Sequence, residues 1–121
     1  VRGIDADAHV LPYLRLHAEL NGVEIGCERR TFEQLTGREL AAFDLILGGD
    51  ICFWDEMTRA LYNLIRRARR AGAGTVMIAD PCRPPFTALA ERCEARLPDA
   101  GRVDVRLTRP VRASGQILIV P

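Results

Sequence analysis

The sequence lacks the long apolar segments and targeting signals that mark membrane and secreted proteins. No apolar run in its 121 residues approaches the roughly 20 residues that a membrane-spanning helix needs, and no secretory signal pattern is present. We therefore expect a cytoplasmic protein without membrane contact. The net charge is only +1, so the composition gives no reason to expect a nucleic-acid partner.

Clustered metal ligands are also missing. The four cysteines are scattered without a Cys-x-x-Cys pair, and neither histidine lies at ligand spacing from them. Structural zinc sites almost always bring their ligands in such groups, so we predict no metal site. Reduced cysteines are the expected state in a cytoplasmic protein.

What the sequence does contain is an alternation of short apolar strands and amphipathic helices. The first half predicts strands over residues 1–5, 23–27 and 43–47 and helices over residues 6–20 and 38–42. The third strand is the clearest buried one, and Gly48 and Gly49 close it where the backbone is free to turn sharply. Thr31 is expected to cap a short helical turn.

The second half continues this alternation and then departs from it. A helix over residues 55–71 presents an apolar face at helical spacing, and a strand over residues 75–80 and a further helix follow. Two strands, 103–107 and 116–120, then come in succession without a helix between them, which predicts an antiparallel hairpin. These elements together predict an open α/β sheet with an antiparallel edge.

Asp5 stands at the carboxyl end of a predicted strand, immediately before a helix. Open α/β sheets bind their ligands in the crevice at this end of the strands, and a carboxylate there suits the paired hydroxyls of a ribose. The alternative is that Asp5 or Asp7 only caps the following helix, as short acidic side chains often do. The residues alone do not decide between these two roles.

A second group of polar and aromatic residues follows the strand over residues 43–47. Asp50, Phe53 and Trp54 come directly after Gly48-Gly49, in a loop that would line the same crevice. A carboxylate and aromatic faces favour cations such as a sulfonium or an ammonium group. The alternative is that the two aromatic rings only cover the end of the sheet and that Asp50 is a turn residue.

The order of elements and three motifs resemble the class I S-adenosylmethionine-dependent methyltransferases. Gly3-Ile4-Asp5-Ala6-Asp7 is similar to the segment with which that family holds the adenosine ribose. Asp50-Ile51-Cys52-Phe53 matches the Asp/Glu-x-x-Tyr/Phe signature of its protein-lysine methyltransferase group. Ala79-Asp80-Pro81-Cys82-Arg83-Pro84 resembles the Asp-Pro-x-Arg loop of the branch that methylates the β-subunit of electron-transfer flavoprotein. The resemblance extends from Val1 to Val120.

The resemblance implies S-adenosyl-L-methionine as cofactor and a set of residues that would hold it. The implied cofactor-binding residues are Asp5, Ala6, Thr31, Phe32, Gly49 and Asp50. The implied catalytic residues are Asp50, Phe53 and Trp54, which would orient the acceptor amine. Where the family often has an acidic residue for the adenine amino group, this sequence has Thr31, and Phe32 is expected to flank the purine.

The family's glycine-rich loop has no counterpart here, because no Gly-x-Gly-x-Gly follows a strand. In the family, that loop follows the first strand, which lies at the centre of the sheet. Residues 1–121 are therefore expected to be a partial methyltransferase domain, from the second strand to the carboxyl terminus, with two exposed sheet edges and weak cofactor binding alone. The missing loop also leaves open a non-catalytic, methyltransferase-like binding or scaffold module.

The predicted fold is a Rossmann-like α/β three-layer sandwich with a mostly parallel sheet, an antiparallel carboxyl-terminal hairpin and no first central strand. The predicted function is methyl transfer from S-adenosyl-L-methionine to nitrogen, with a protein lysine side chain or a small amine as the acceptor. No feature of the sequence predicts an oligomeric state.

Overall fold

A computed structural model describes all residues from 1 to 121. Its internal contacts divide the chain into two compact units, an amino-terminal unit, Val1–Leu35, and a carboxyl-terminal unit, Thr36–Pro121. No helix in either unit combines the length and the apolar character that crossing a membrane requires.

The amino-terminal unit is built on two parallel strands. Its elements are β1 Arg2–Asp5, α1 Val10–Leu20, β2 Gly26–Arg29 and a single turn of 3-10 helix, Phe32–Gln34. β1 pairs with β2 so that Asp5 lies beside Arg29 at the carboxyl end of both strands. β2 begins three residues later than the predicted strand over residues 23–27. The chain leaves α1 through the left-handed Gly22, with φ 63°, and the Val23 amide still donates a hydrogen bond to the Ala18 carbonyl oxygen of the helix.

Helix α1 starts later than the predicted residue 6. Two successive side chain to backbone hydrogen bonds hold the intervening residues in a turn. Asp5 Oδ1 accepts from the Asp7 amide at 2.8 Å, and Asp7 Oδ1 accepts from the His9 amide at 2.8 Å. Short acidic side chains compete with helical hydrogen bonding in this way, so the helix begins at Val10.

The carboxyl-terminal unit contains a four-stranded sheet. Its elements are α2 Gly37–Leu40, β3 Leu45–Gly49, α3 Asp55–Ala71, β4 Thr75–Asp80, α4 Pro84–Arg96, β5 Gly101–Leu107 and β6 Ala113–Val120. The strand order is β3-β4-β6-β5, in which β3 and β4 are parallel and β6 is antiparallel to both of its neighbours. The predicted hairpin of the last two strands is therefore confirmed.

One face of this sheet and the apolar faces of α3 and α4 form the buried core of the unit. The fully or almost fully buried side chains of these elements are Leu61, Tyr62, Leu64, Ile65, Ala68, Val76, Ile78, Phe86, Leu89, Ala90, Cys93, Leu118 and Val120. The helical members lie at the spacings that the sequence predicted. Helix α3 ends at Gly72, whose φ of 78° is a conformation that other residues adopt only with strain.

Strand β3 differs from its prediction as a buried strand. Leu45 and Leu47 are 48% and 70% exposed. The reason is that β3 is the edge strand of the sheet and alternates its side chains between two faces, of which only one meets the core. Gly48 is on the core face, where an added Cβ would lie 2.8 Å from Ile78 Cδ1. Gly48 therefore serves close packing, and the sharp turn after β3 falls on Asp50.

Candidate functional site

The loop that follows β3 begins with a strained residue. Asp50 has a φ of 56°, in the left-handed region that aspartate tolerates better than most residues do. Its amide donates a hydrogen bond to the Ala79 carbonyl oxygen of β4 at 2.9 Å. Because β3 and β4 are parallel and pair Gly49 with Ala79, the loops that leave the two strands emerge at the same edge of the sheet.

The loop that follows β4 is fastened by Asp80. This carboxylate belongs to a residue that is only 5% exposed, and both of its oxygens are used. Oδ1 accepts a hydrogen bond from the Arg83 amide at 2.8 Å, and Oδ2 accepts one from Arg83 Nη1 at 2.9 Å. A buried carboxylate that is hydrogen-bonded and ion-paired in this way holds its loop in one conformation.

Arg83 joins the two loops. Its Nη1 also forms an ion pair with Asp50 Oδ1, and its guanidinium carbon lies 4.4 Å from the centre of the Phe53 ring. The hydrogen bond that Arg83 donates to Asp50, together with the charges of Asp50 and Asp80, raises the pKa of the Arg83 guanidinium above its ordinary value. Arg83 was not among the predicted site residues, although the Asp-Pro-x-Arg motif that contains it was visible in the sequence.

The two aromatic residues of the β3 loop are exposed and in mutual contact. The rings of Phe53 and Trp54 lie 5.6 Å apart at an angle of 46°. Phe53 is 48% exposed and Trp54 is 66% exposed, so neither ring is part of the core. An exposed pair of large aromatic side chains beside a carboxylate is a surface suited to contact a ligand.

Cys52 is the buried residue of the same loop and has no solvent exposure. Burial, and secondarily the charge of Asp80, raises the pKa of the Cys52 thiol to about 12. The thiol therefore stays protonated at neutral pH, where only a thiolate is a nucleophile. Cys52 anchors the loop to the core, as expected for a cysteine without a histidine to activate it.

The amino-terminal unit contains the other predicted cofactor residues, which are Asp5, Ala6, Thr31 and Phe32. Asp5 uses Oδ1 for a turn that precedes α1 and no side chain caps that helix, so the predicted capping role is wrong, while Oδ2 accepts no hydrogen bond from the chain. The Arg30 amide donates to the Asp5 carbonyl oxygen at 2.9 Å, which brings Thr31 to the same end of the two strands. The Thr31 amide donates to Gln34 Oε1 at 2.8 Å, and Phe32 is half-buried.

Each unit thus brings together a part of the predicted residue set. The amino-terminal unit gathers a carboxylate oxygen, a small residue and an aromatic ring at the carboxyl end of β1 and β2. The carboxyl-terminal unit gathers Gly49, Asp50, Phe53 and Trp54 with Arg83 at the carboxyl end of β3 and β4. These are the strand ends at which open α/β sheets bind ligands.

The sequence and the structure give different results when each is compared with known proteins. The sequence matches no protein-family model and no curated protein. The structure is similar to human methyltransferase 10 domain containing protein, with a TM-score of 0.69 and 11% identity over 98% of this chain and 58% of that one. It is equally similar to the methyltransferase domain of METTL16, with a TM-score of 0.69 and 11% identity over 98% of this chain and 49% of that one.

A third similar structure holds a cofactor product. It is the tRNA (uracil-54, C5)-methyltransferase of Pyrococcus abyssi in complex with S-adenosyl-L-homocysteine, with a TM-score of 0.66 and 18% identity over 100% of this chain and 28% of that one. The chain therefore spans between about a quarter and three fifths of the length of these proteins. These three structures and the present chain share the α/β architecture that was predicted from the sequence. The chain has the Rossmann-like α/β fold of the class I S-adenosylmethionine-dependent methyltransferases.

Proposed function

We propose that the chain belongs to an enzyme that transfers a methyl group from S-adenosyl-L-methionine to a nitrogen atom, most specifically to a protein lysine side chain. The observation that carries this proposal is the group formed by Asp50, Phe53 and Trp54 at the carboxyl end of β3. It combines a carboxylate with exposed aromatic faces, which is the chemistry that an amine acceptor needs.

The residues of the amino-terminal unit fit part of the cofactor. Asp5 Oδ2 makes no hydrogen bond within the chain, so it can accept one from a ribose hydroxyl, and Phe32 offers an aromatic face to the adenine. When bound, the cofactor would supply an electrophilic methyl group on a sulfonium. No glycine-rich segment is present for its methionine part, so these residues account for the adenosine part alone.

The residues of the carboxyl-terminal unit would act on the acceptor. A lysine amine has a reference pKa near 10.4 and must lose its proton before it can attack, which an apolar environment favours. Trp54 and Phe53 would remove water from the amine, and the Asp50 carboxylate would accept a hydrogen bond from it and fix the direction of its lone pair. Holding the nitrogen in line with the transferred methyl group is the main contribution that the enzyme makes.

Local charge favours an amine over a nucleic acid. The exposed carboxylates of Asp50 and of Asp55 and Glu56 at the start of α3 outnumber the one cation of the two loops, Arg83, so this group of residues is net negative. A negative surface repels a phosphate backbone and attracts a lysine side chain. The tRNA enzyme among the similar structures shares the fold, and at 18% identity it says nothing of the acceptor here.

A non-catalytic binding module is the second candidate, because the sequence has no glycine-rich loop. Calorimetric titration with S-adenosyl-L-homocysteine distinguishes the two, using the chain together with whatever sequence its gene encodes on either side. The enzyme should give saturable heat, and a donor with a labelled methyl group should then label protein lysines and not RNA. Absence of heat at millimolar ligand would contradict the enzyme, whereas binding with labelled RNA would contradict only the lysine acceptor.

A further inference from the structure

We propose that Arg83 is the positioning residue of the acceptor site. In this role it fixes the Asp50 carboxylate, covers one face of Phe53 and leaves Trp54 as the aromatic ring that meets the acceptor. The part of this proposal that concerns catalysis rests on the proposed methyl transfer. The part that concerns loop order rests on the structure alone.

The first support is the unequal anchoring of the two carboxylates that Arg83 contacts. The Asp80 side chain is fully buried, and its carboxylate accepts hydrogen bonds from both the backbone amide and Nη1 of Arg83. Arg83 is therefore held at two points. The Asp50 side chain is 62% exposed, and its ion pair with Arg83 Nη1 is what directs it. The buried Asp80 carboxylate therefore fixes the position of the Arg83 guanidinium, and the guanidinium in turn orients the exposed Asp50 carboxylate.

The second support is the stacking on Phe53. The guanidinium lies 4.4 Å from the ring centre, well within the roughly 6 Å over which a cation is attracted to an aromatic face. That face of Phe53 is consequently closed to any other cation. Trp54 has no such partner and is the more exposed ring, so it remains the aromatic surface for the acceptor.

These contacts assign different roles to the three residues of the predicted catalytic set. Asp50 shares its negative charge with a guanidinium, and its remaining oxygen, Oδ2, is the atom that can accept a hydrogen bond from an amine. Phe53 is a support for Arg83, and Trp54 contacts the acceptor. A site with this division should lose turnover more than cofactor affinity when Arg83 is changed, because Arg83 acts on the acceptor through the orientation of Asp50.

The single tryptophan of the sequence makes loop order directly measurable. We compare Arg83→Gln with Arg83→Lys and use Arg102→Gln as the matched control. Arg102 is likewise an arginine about one quarter exposed and paired with a carboxylate, but that carboxylate belongs to Glu94 of α4 and not to Asp50 or Asp80. Fluorescence anisotropy of Trp54 and its quenching by acrylamide report the mobility of the ring. Any tryptophan outside this chain is subtracted with Trp54→Phe.

Arg83→Gln should lower the anisotropy of Trp54 and increase its quenching, while Arg102→Gln should change neither. Arg83→Lys should behave in between, because both ion pairs of Arg83 run through the single atom Nη1, which an ammonium can replace. An ammonium does not reproduce the flat stack on Phe53. If Arg83→Gln fails to fold, Arg83→Lys carries the test with the same control.

Methyl-transfer activity and cofactor affinity are measured for the same three variants. Arg83→Gln should lower kcat by about 100-fold, as a misplacement of about 1 Å in an active site can, and Arg83→Lys should recover part of the loss. The affinity for S-adenosyl-L-homocysteine should change much less than kcat, because Asp50 is only one of the implied cofactor residues and the other contacts of Arg83, with Asp80 and Phe53, are not among them. Trp54 fluorescence that responds alike to Arg83→Gln and Arg102→Gln would overturn the positioning role. Fluorescence that responds as expected, in a protein that transfers no methyl group, would instead contradict the proposed function.

Discussion

The loops after β1 and β3 both start with an aspartate at the end of a parallel strand, but they are held in different ways. Asp5 is fastened locally, because it and Asp7 bond to amides two residues further on. Asp50 is fastened across the sheet, through an ion pair with Arg83 in the loop after β4. Residues 6–10 are all exposed, whereas the β3 loop is anchored by the fully buried Cys52.

The difference shows how the same residue type acquires different chemistry at equivalent places in a fold. Asp5 satisfies its own backbone with one oxygen and keeps the other available, so its position does not depend on any distant residue. Asp50 depends on Arg83 and thereby on buried Asp80, so its loop can be disturbed from a neighbouring strand. We expect the first arrangement to suit a fixed contact with a cofactor and the second to suit an oriented contact with an acceptor.

Replacing Asp50 should have the largest effect. Asp50→Asn keeps the size of the side chain and removes the charge that binds Arg83 and directs the amine, so we expect kcat to fall by about 100-fold or more. Cofactor affinity should fall by a smaller factor than kcat, because Asp50 is one of six implied cofactor-binding residues. The measurement is single-turnover methyl transfer, with Asp104→Asn as the control, because Asp104 lies on the edge strand β5, two strands from β4, and accepts a side-chain hydrogen bond from Gln116. An equal loss in both variants would mean that Asp50 has no special role.

Replacing Asp5 should have a smaller effect, of a different kind. Asp5→Ala should weaken binding of S-adenosyl-L-homocysteine about 10-fold, which corresponds to the loss of one hydrogen bond to a charged group. Asp7→Ala is the matched control, because Asp7 makes the same kind of turn with the His9 amide and is not a predicted ligand. Calorimetry that finds the same affinity for both variants would reduce Asp5 to a turn residue.

The sequence predicted the elements well because their signals are local. The apolar face of α3 repeats at helical spacing, and the two last strands follow each other with only a turn between them, so neither prediction needed knowledge of a distant residue. The start of α1 was placed too early, since turn-forming hydrogen bonds of Asp5 and Asp7 compete with a helix without changing its apolar pattern. β2 was also placed too early, because the turn at Gly22 still bonds the Val23 amide back to the Ala18 carbonyl oxygen of α1.

Two features of the site were beyond sequence reasoning. An apolar strand such as Leu45–Leu47 does not reveal which of its faces is covered, and β3 proved to be an edge strand with one open face. Arg83 lies in a different loop from Asp50, and only the parallel pairing of β3 with β4 brings the two together. The predicted roles of Asp5, Phe32 and Trp54 depend on ligands and stay predictions until binding is measured.

Alkaline pH should give the smallest effect and test how the β3 loop is anchored. Burial raises the pKa of Cys52 from 9.0 to about 12 and that of Cys93 to about 11, so the folded protein retains thiol protons that the unfolded chain loses. The stabilisation is therefore complete below pH 9 and decreases as pH rises through the folded pKa values. Each such thiol should lower the free energy of unfolding by about 1 kcal/mol per pH unit in this range.

Urea unfolding at several pH values between 8 and 11, followed by circular dichroism, measures this decrease. Cys52→Ala should make the decrease shallower, and so should the control Cys93→Ala, whose thiol lies in α4 away from the loop. Only Cys52→Ala should also release the β3 loop and raise the acrylamide quenching of Trp54 at neutral pH, because Cys52 is the buried residue of that loop. Equal quenching in the two variants would show that burial of Cys52 is not what holds the β3 loop in place.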